Sequence, residues 1–294
     1  MDLNLIAEDI RNILIEKRKS IQLTFEEDKH IYEMLDKNMV LRNDYPSVSK
    51  VVEFFHDKFD TEGKSFKKAK GNLKIQEQLK LEWKEGADYA SNTGSRVHYI
   101  LEKNLIEQYG NYKDVRQPIF ECNDVQIEVG DRMVSAGNDF IKMMHSKGAV
   151  LLDTEIVLGS PLLWYTGQPD TMWLFKDKNG EIGIIITDWK TNKPKNFEVH
   201  FYTNKMYEPF GWLDNNALGH YNIQLPLYAK LLYDMLKGTK YEKLKFFGAI
   251  IVLLKDDSTY EEHRISKNVY NKIFEMDILD YINTKKLEKE KGSN

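Results

Sequence analysis

The stretch Gly180-Glu181-Ile182-Gly183-Ile184-Ile185-Ile186 is almost free of polar side chains and ends on Thr187-Asp188-Trp189-Lys190. A near-continuous apolar run of strand length marks a strand covered on both faces. It predicts a central strand over 181–189, and such a strand needs a layer on each side. The chain should therefore be α/β, with a mixed central sheet flanked by helices. Lys176-Asp177-Lys178-Asn179-Gly180 is a strong hairpin turn, so the preceding β-rich segment, 164–175, should pair with this strand. A third β-rich segment covers 149–158, and a later one covers 244–254.

Helical periodicity surrounds these strands. Residues 2–19 place Leu3, Ile6, Ile10, Ile13 and Leu14 on one side. Further helices are predicted over 48–59, 83–109 with a break at Thr93-Gly94, 127–147, 217–236 and 267–283. Residues 21–35 read as a hairpin around Glu26-Glu27-Asp28-Lys29. The tail 285–294 is charged and should fray. From residue 90 onward the order is helix, three strands, helix, strand.

Composition narrows the class. One cysteine, Cys122, makes an intramolecular disulfide or an iron–sulfur cluster impossible and fits a reducing compartment. The N-terminal residues mix acids and bases with apolar residues, unlike a signal peptide, and no apolar run approaches bilayer length. The formal net charge of −4 does not advertise a nucleic-acid binder. A local basic patch is what matters for that, and 58–80 supplies Lys58, Lys64, Lys67, Lys68, Lys70, Lys74 and Lys80. That run reads equally as a solvated helix face or as a surface that tracks phosphates.

Four patterns carry chemistry. His98-x-x-x-Glu102 puts imidazole and carboxylate on one helical face. Gly167-Gln168-Pro169-Asp170 places an acid where proline distorts a strand. Asp188-Trp189-Lys190 sets an acid and a lysine on one face of the buried strand, about 7 Å apart along the backbone. Gln224-x-x-x-Tyr228 shares a helical face around Pro226, which should kink that helix or mark its start. Each has an ordinary reading: a surface His–Glu pair, a turn-forming Asp, a strand end reaching solvent, amphipathic packing. Together they offer more. Two carboxylates on neighbouring strands can hold one hard cation with His98 approaching from a helix. Mg²⁺ suits such oxygens, and Mn²⁺ also tolerates imidazole. A nearby lysine can orient or deprotonate water, or neutralise developing charge.

The ordered set His98-x-x-x-Glu102, Gly167-x-Pro169-Asp170, Asp188-x-Lys190 and Gln224-x-x-x-Tyr228, spanning 94–228, resembles the PD-(D/E)xK nuclease superfamily, and within it the RecB-type branch. Thr24-Phe25 and His30-Ile31-Tyr32, Tyr45-Pro46-Ser47-Val48-Ser49, and Trp83 leading to Gly94 are similar to stand-alone phage-encoded members and the mitochondrial genome maintenance exonuclease. The resemblance implies a restriction-endonuclease-like core over 91–284, a helical and hairpin N-terminal lobe over 1–90, and the tail 285–294. It implies His98, Asp170 and Asp188 as metal ligands, with the Trp189 backbone carbonyl and, more loosely, Glu102. Lys190 would position the attacking water, with Asp170 and Asp188 as its catalytic partners. Gln224, Tyr228 and Thr191 would contact the DNA strand, with Lys67, Lys68 and Lys70 as further contacts. Glu155 would assist in the same pocket; an exposed strand residue is its equal alternative.

The implied activity is a Mg²⁺- or Mn²⁺-dependent DNA exonuclease acting on single-stranded ends, in DNA processing, repair or recombination. No nucleotide cofactor is expected, since a Gly-x-x-x-x-Gly-Lys-Ser/Thr phosphate loop is missing. Phe54, Phe55, Phe59, Phe66 and the aromatic segment 196–216, with Tyr207 and Trp212, are candidate base-stacking residues, although most of the phenylalanines fit a core. The expected setting is the cytoplasm of a bacterial or phage-infected cell, with DNA and recombination or replication proteins as partners and no membrane. The competing readings are a non-catalytic DNA-binding or structural subunit of a recombination complex on the same fold, and an unrelated hydrolase of small phosphoesters.

Overall fold

Strand β8 (Ile182–Lys190) is the middle strand of a five-stranded mixed sheet, as the apolar run requires. The computed structural model describes residues 2–26, 29–115, 117–198 and 204–292. The sheet order is β10-β9-β8-β7-β4, with β4 at Val150–Thr154, β7 at Thr171–Lys176, β9 at Lys245–Leu254 and β10 at Tyr260–Arg264. β7 is antiparallel to both β4 and β8, whereas β8 and β9 are parallel. A parallel pair needs a crossover, which helix α6 (Ala217–Leu236) supplies.

Alternation along the strands divides the interior in two. Leu152, Met172, Leu174, Ile184, Ile186, Ala249, Ile251 and Leu253 face a core shared with α1 (Leu3–Ser20), α2 (Val48–Val52), α6, α7 (Lys267–Glu275) and α8 (Ile278–Gly292). Leu151, Trp173, Trp189, Ile250, Val252 and Leu254 face α4 (Leu73–Gln108) and α5 (Asp124–Ser146). The result is a helix–sheet–helix sandwich. In α1, Ile6, Ile10 and Leu14 recur at four-residue spacing and are buried, each stabilising the fold by roughly 1.5–3 kcal/mol. Asp2 caps that helix, and Asn123 with Gln126 forms a capping box on α5. Among the described residues no helix is long and apolar enough to cross a membrane.

Several elements differ from expectation. The helix predicted over 48–59 ends at Val52, followed by one 3₁₀ turn to Phe55. The helix predicted over 83–109 begins at Leu73 and runs 36 residues without a break. Gly94 is not a breaker there: α4 crosses the end of β8, and a Cβ at Gly94 would lie 3.1 Å from Thr191 Oγ1. The 90/91 division falls inside α4, and α1 packs on β4 and α6 within the main core.

The predicted strands 149–158 and 164–175 each split. Glu155 (φ 45°) ends β4 before β5 (Leu158–Ser160), and Gln168-Pro169-Asp170 separates β6 (Tyr165–Gly167) from β7. β5 and β6 form a ribbon of their own. The hairpin of β1 (Thr24–Glu26) and β2 (Ile31–Leu35) gains a third strand, β3 (Leu41–Arg42), while Glu27 and Asp28 lie outside the described residues. β10 was not anticipated, because Tyr-Glu-Glu-His-Arg on a sheet edge lacks an apolar face. The terminal helix divides at Met276-Asp277, and α8 carries the charged tail in helical form to Gly292. Pro226 lies inside α6, which starts well before it.

Candidate metal centre

The alternation that buries Ile184 and Ile186 on the α6 side brings Asp188 and Lys190 out on that same face. The β7–β8 register pairs Met172 with Ile186 and Thr171 with Thr187. One residue on, it leads to Asp170 beside Asp188. The Trp189 backbone N–H donates to Asp170 Oδ2 at 2.6 Å, which ties the bend before β7 to the end of β8. Asp188 and Lys190 form a close ion pair, with the Lys190 side chain 14% exposed and Asp188 almost wholly buried. Lys190 Nζ also lies 4.4 Å from the centre of the Tyr221 ring.

His98 arrives from α4. That helix is locked to α5 by an ion pair of Arg96 with Asp131 at 2.7 Å, and Gly137 lets Leu101 nest where a Cβ would come within 2.7 Å. His98 Nδ1 is 3.5 Å from Asp170 Oδ1 and 3.7 Å from Glu155 Oε1. His98, Glu155 and Asp170 thus offer ligand atoms all within 4.8 Å of one another, enough for one cation. Glu155 sits in the left-handed backbone region that favours glycine and is clamped on both sides. The Glu155 N–H donates to the Asp170 carbonyl at 3.0 Å, and Gln168 Nε2 donates to the Glu155 carbonyl at 3.0 Å. Thr154 Oγ1 donates to the same Asp170 carbonyl at 2.6 Å.

No family model matches this chain, and no curated protein is a significant match.

Electrostatics describe a site crowded with negative charge. Burial pushes the Glu155 carboxyl up to about 7, with the charges of Asp170 and Glu102 adding to it and His98 opposing. Burial, then the Asp170 charge, pushes Asp188 up to about 6 despite Lys190. Burial would also raise Asp170, but His98, Lys190 and the Trp189 N–H hold it below the usual carboxylate range. For His98, burial pulls downward, and the neighbouring carboxylates overcome it to give about 10. Burial likewise works against the Lys190 ammonium, and Asp188 and Asp170 more than restore it, so its pKa is raised. Asp188 Oδ2 is buried, with the Lys190 ammonium as its partner. A cation would neutralise this excess. The donor set of two or three carboxylates and one imidazole fits Mg²⁺ or, better, Mn²⁺.

The other sequence candidates spread around this centre. Glu102 lines the same cavity as His98 and Glu155, with Lys113 Nζ 3.2 Å away. The Trp189 ring faces away from Asp188, meeting Phe140 edge-on at 5.5 Å in the opposite core. Gln224 donates to Tyr228 Oη at 2.8 Å, so these two act as one unit. Gly167 makes room for them: a Cβ there would lie 2.6 Å from the Tyr228 ring. Thr191 meets α4 at Gly94.

Lys67, Lys68 and Lys70 are exposed on α3 (Thr61–Lys68) and the turn after it, and are not brought to the cavity around His98. Phe55 is core, Phe54 is half-buried, and Phe59 and Phe66 are exposed. Tyr207 is tied to Asp57, whereas Trp212 is exposed; residues 199–203 of the 196–216 segment lie outside the described residues.

Tyr221 was missed. It lies three and seven residues before Gln224 and Tyr228 on α6, the spacing of a shared face, and its hydroxyl donates to Asn192 at 2.8 Å. Two cavities adjoin Asn192. One, of about 880 Å³, runs between α4 and the 191–196 segment; the other, of about 900 Å³, includes Phe59, Lys64, Lys195 and Tyr221.

Proposed function

We propose that this protein is a metal-dependent DNA nuclease of the PD-(D/E)xK, RecB-type kind. We further propose an exonuclease that acts on DNA ends, preferentially single-stranded, without an iron–sulfur cluster. The observation that carries this reading is the convergence of Asp170 and Asp188 from adjacent strands with Lys190, against His98 and Glu155 from two other elements. A restriction-endonuclease-like core is the fold this reading implies. It is supported by the succession of α4 and α5, the antiparallel β4, β7 and β8, the α6 crossover and the parallel β9.

His98, Glu155 and Asp170 would hold the cation, with Asp188 beside them. When bound, Mg²⁺ or Mn²⁺ supplies positive charge that polarises a phosphodiester and makes water a better nucleophile at neutral pH. Lys190 is held as an ammonium by Asp188, so its part is to orient water and offset charge on the phosphate rather than to take up a proton. Gln224, Tyr228 and Tyr221 form the α6 wall along which a strand would be aligned. The cavities beside Asn192 present Phe59 and Tyr221 with Lys64 and Lys195, the mixture of rings and ammonium groups that suits single strands. DNA, with recombination or replication proteins, in a cytoplasmic setting is the proposed context.

The test is digestion of end-labelled linear and closed circular DNA, single- and double-stranded, with Mg²⁺ or Mn²⁺. Release of nucleotides from linear strands is expected. Cutting of closed circles would remove the exonuclease reading. Absence of cleavage on every substrate would remove the nuclease reading and leave a non-catalytic DNA-binding or structural subunit.

A further inference from the structure

His98 and Glu155 stand in the wall of a cavity of about 560 Å³ whose far side comes from other parts of the chain. Arg18 reaches it from the last turn of α1, and Phe25 and His30 from the β1–β2 hairpin. Its volume is within the range of a small-ligand pocket.

The hairpin wall is a preassembled aromatic surface. Phe25 stacks on Tyr32 at 4.3 Å with the rings 18° apart, and His30 meets the two rings edge-on at 5.3 and 5.6 Å. Tyr32 is buried, so the cluster is anchored from behind. Rings held in this way offer a face on which any nucleobase can stack.

The cations of the cavity are not equivalent. Lys113 is committed: it bonds to the Thr154 carbonyl and lies 3.2 Å from Glu102 and 3.5 Å from Asp153. Arg18 has capacity to spare. Its Nε is buried and, among the described residues, has no hydrogen-bond partner. Among the described residues no acceptor holds the rest of the guanidinium either, and an anion in the cavity would accept from its outer N–H groups rather than from the shielded Nε. A phosphomonoester, with oxygens that match the guanidinium fork, is the anion such a group recognises best. Asp114 also lines the cavity, so bare anions should be held less well than one carried on a stacked base.

We infer that this cavity receives the terminal nucleotide of a DNA strand, its base against Phe25 and His30 and its terminal phosphomonoester on Arg18. The next phosphodiester along the strand would then lie at His98, Glu155 and Asp170, a placement that rests on the nuclease reading. The phosphomonoester has two sources, a 5′- or a 3′-phosphorylated end, and the shared chemistry is a terminal dianion one nucleotide from the cleavage point.

The test measures binding and cleavage separately. Fluorescence anisotropy with Ca²⁺, and again with EDTA, would follow short single-stranded oligodeoxynucleotides bearing a 5′-phosphate, a 3′-phosphate or hydroxyls at both ends. One phosphorylated end should bind about tenfold tighter than the hydroxyl form, and dAMP, taken as the 5′- or the 3′-monophosphate to match that end, should compete better than deoxyadenosine. Arg18→Gln should bring both ratios close to one, and Arg18→Lys should keep part of them. Melting curves of both variants establish that they fold, and the dAMP comparison on the wild-type protein stands without them. No preference for either phosphorylated end, with dAMP no better than deoxyadenosine, would overturn the inference. So would an Arg18→Gln loss equal for all three oligonucleotides, the mark of general charge attraction. Cleavage in Mn²⁺ that ignores the end phosphate sinks the pocket and leaves the nuclease reading. A binding preference without any cleavage keeps the pocket and sinks the nuclease reading.

Discussion

The backbone N–H of Trp189 donates to Asp170 Oδ2 at 2.6 Å while its indole is buried on the opposite face of the sheet. The residue between Asp188 and Lys190 thus aims a third member of the site from behind. Asp170→Asn keeps an oxygen that can accept from Trp189 but removes a charge. The variant should fold normally, lose more than about 100-fold in Mn²⁺ affinity, and lose cleavage with it. Calorimetric titration with Mn²⁺ reads the first effect, and unchanged affinity would remove Asp170 from the ligand set.

Lys190→Ala removes the cation beside Asp188 without touching His98, Glu155 or Asp170. Cleavage should fall by about 10³, within the usual range for a group that handles a water in the transition state. Mn²⁺ should still raise the melting temperature of this variant. Cleavage near the wild-type rate would show that Lys190 does not act on the water.

Glu155 gives a sharper test of which carboxylates hold the ion. A cation at about 100 times its Kd stabilises the folded chain by about 2.7 kcal/mol. Adding Mn²⁺ after EDTA treatment should therefore raise the wild-type melting temperature by several degrees. Glu155→Gln should need at least tenfold more Mn²⁺ for the same rise. An identical Mn²⁺ dependence would mean that Glu155 is only a neighbour of the site.

Gly167→Ala would place a Cβ 2.6 Å from the Tyr228 ring and 2.7 Å from Val48 Cγ2. Overpacking of this sort costs about 1–3 kcal/mol. It should also displace Tyr228 and Gln224, so urea midpoint and cleavage rate should drop together. A variant as stable as the wild type would show that Tyr228 moves aside freely.

His220 makes a pH prediction away from the metal centre. Its ring stacks on His56 with centroids 3.9 Å apart, and burial, with the nearby His56, lowers its pKa to about 4. The folded chain holds His220 neutral, whereas the unfolded chain protonates it near 6.5. The unfolded state therefore binds more protons between these values. This contribution to stability is complete above about pH 6.5 and is lost as pH falls towards about 4. His220→Phe, which keeps a ring on His56, should flatten the decline in denaturation midpoint over that window. The same slope in wild type and variant would exclude His220 as its source.

Local spacing made Asp188, Lys190, His98 and Glu102 readable, since two-residue and four-residue intervals report a shared face directly. The near-continuous apolar run assigned β8 to the middle of the sheet. What spacing left open or missed depended on partners distant in sequence; Glu155 was expected in the pocket only through the resemblance, with an exposed strand residue as its equal alternative. Glu155 joins His98 only because its left-handed backbone turns β4 aside, and no local pattern announces that turn. Gly94 resembles a helix break until Thr191, nearly a hundred residues later, comes to rest against it. Tyr221 was hidden among other apolar residues of α6, where burial and function have the same periodicity.

The unbroken course of α4 has a mechanical consequence. At 36 residues it is about 54 Å long, and His98 lies in its second half, beyond the exposed stretch on which α3 is mounted. No hinge separates the two parts. The half that carries His98 is held against α5 by the Arg96–Asp131 ion pair and by Leu101 seated at Gly137. The imidazole is therefore fixed from the α5 side, and the exposed half of α4 stands out from that clamp as a cantilever that carries α3.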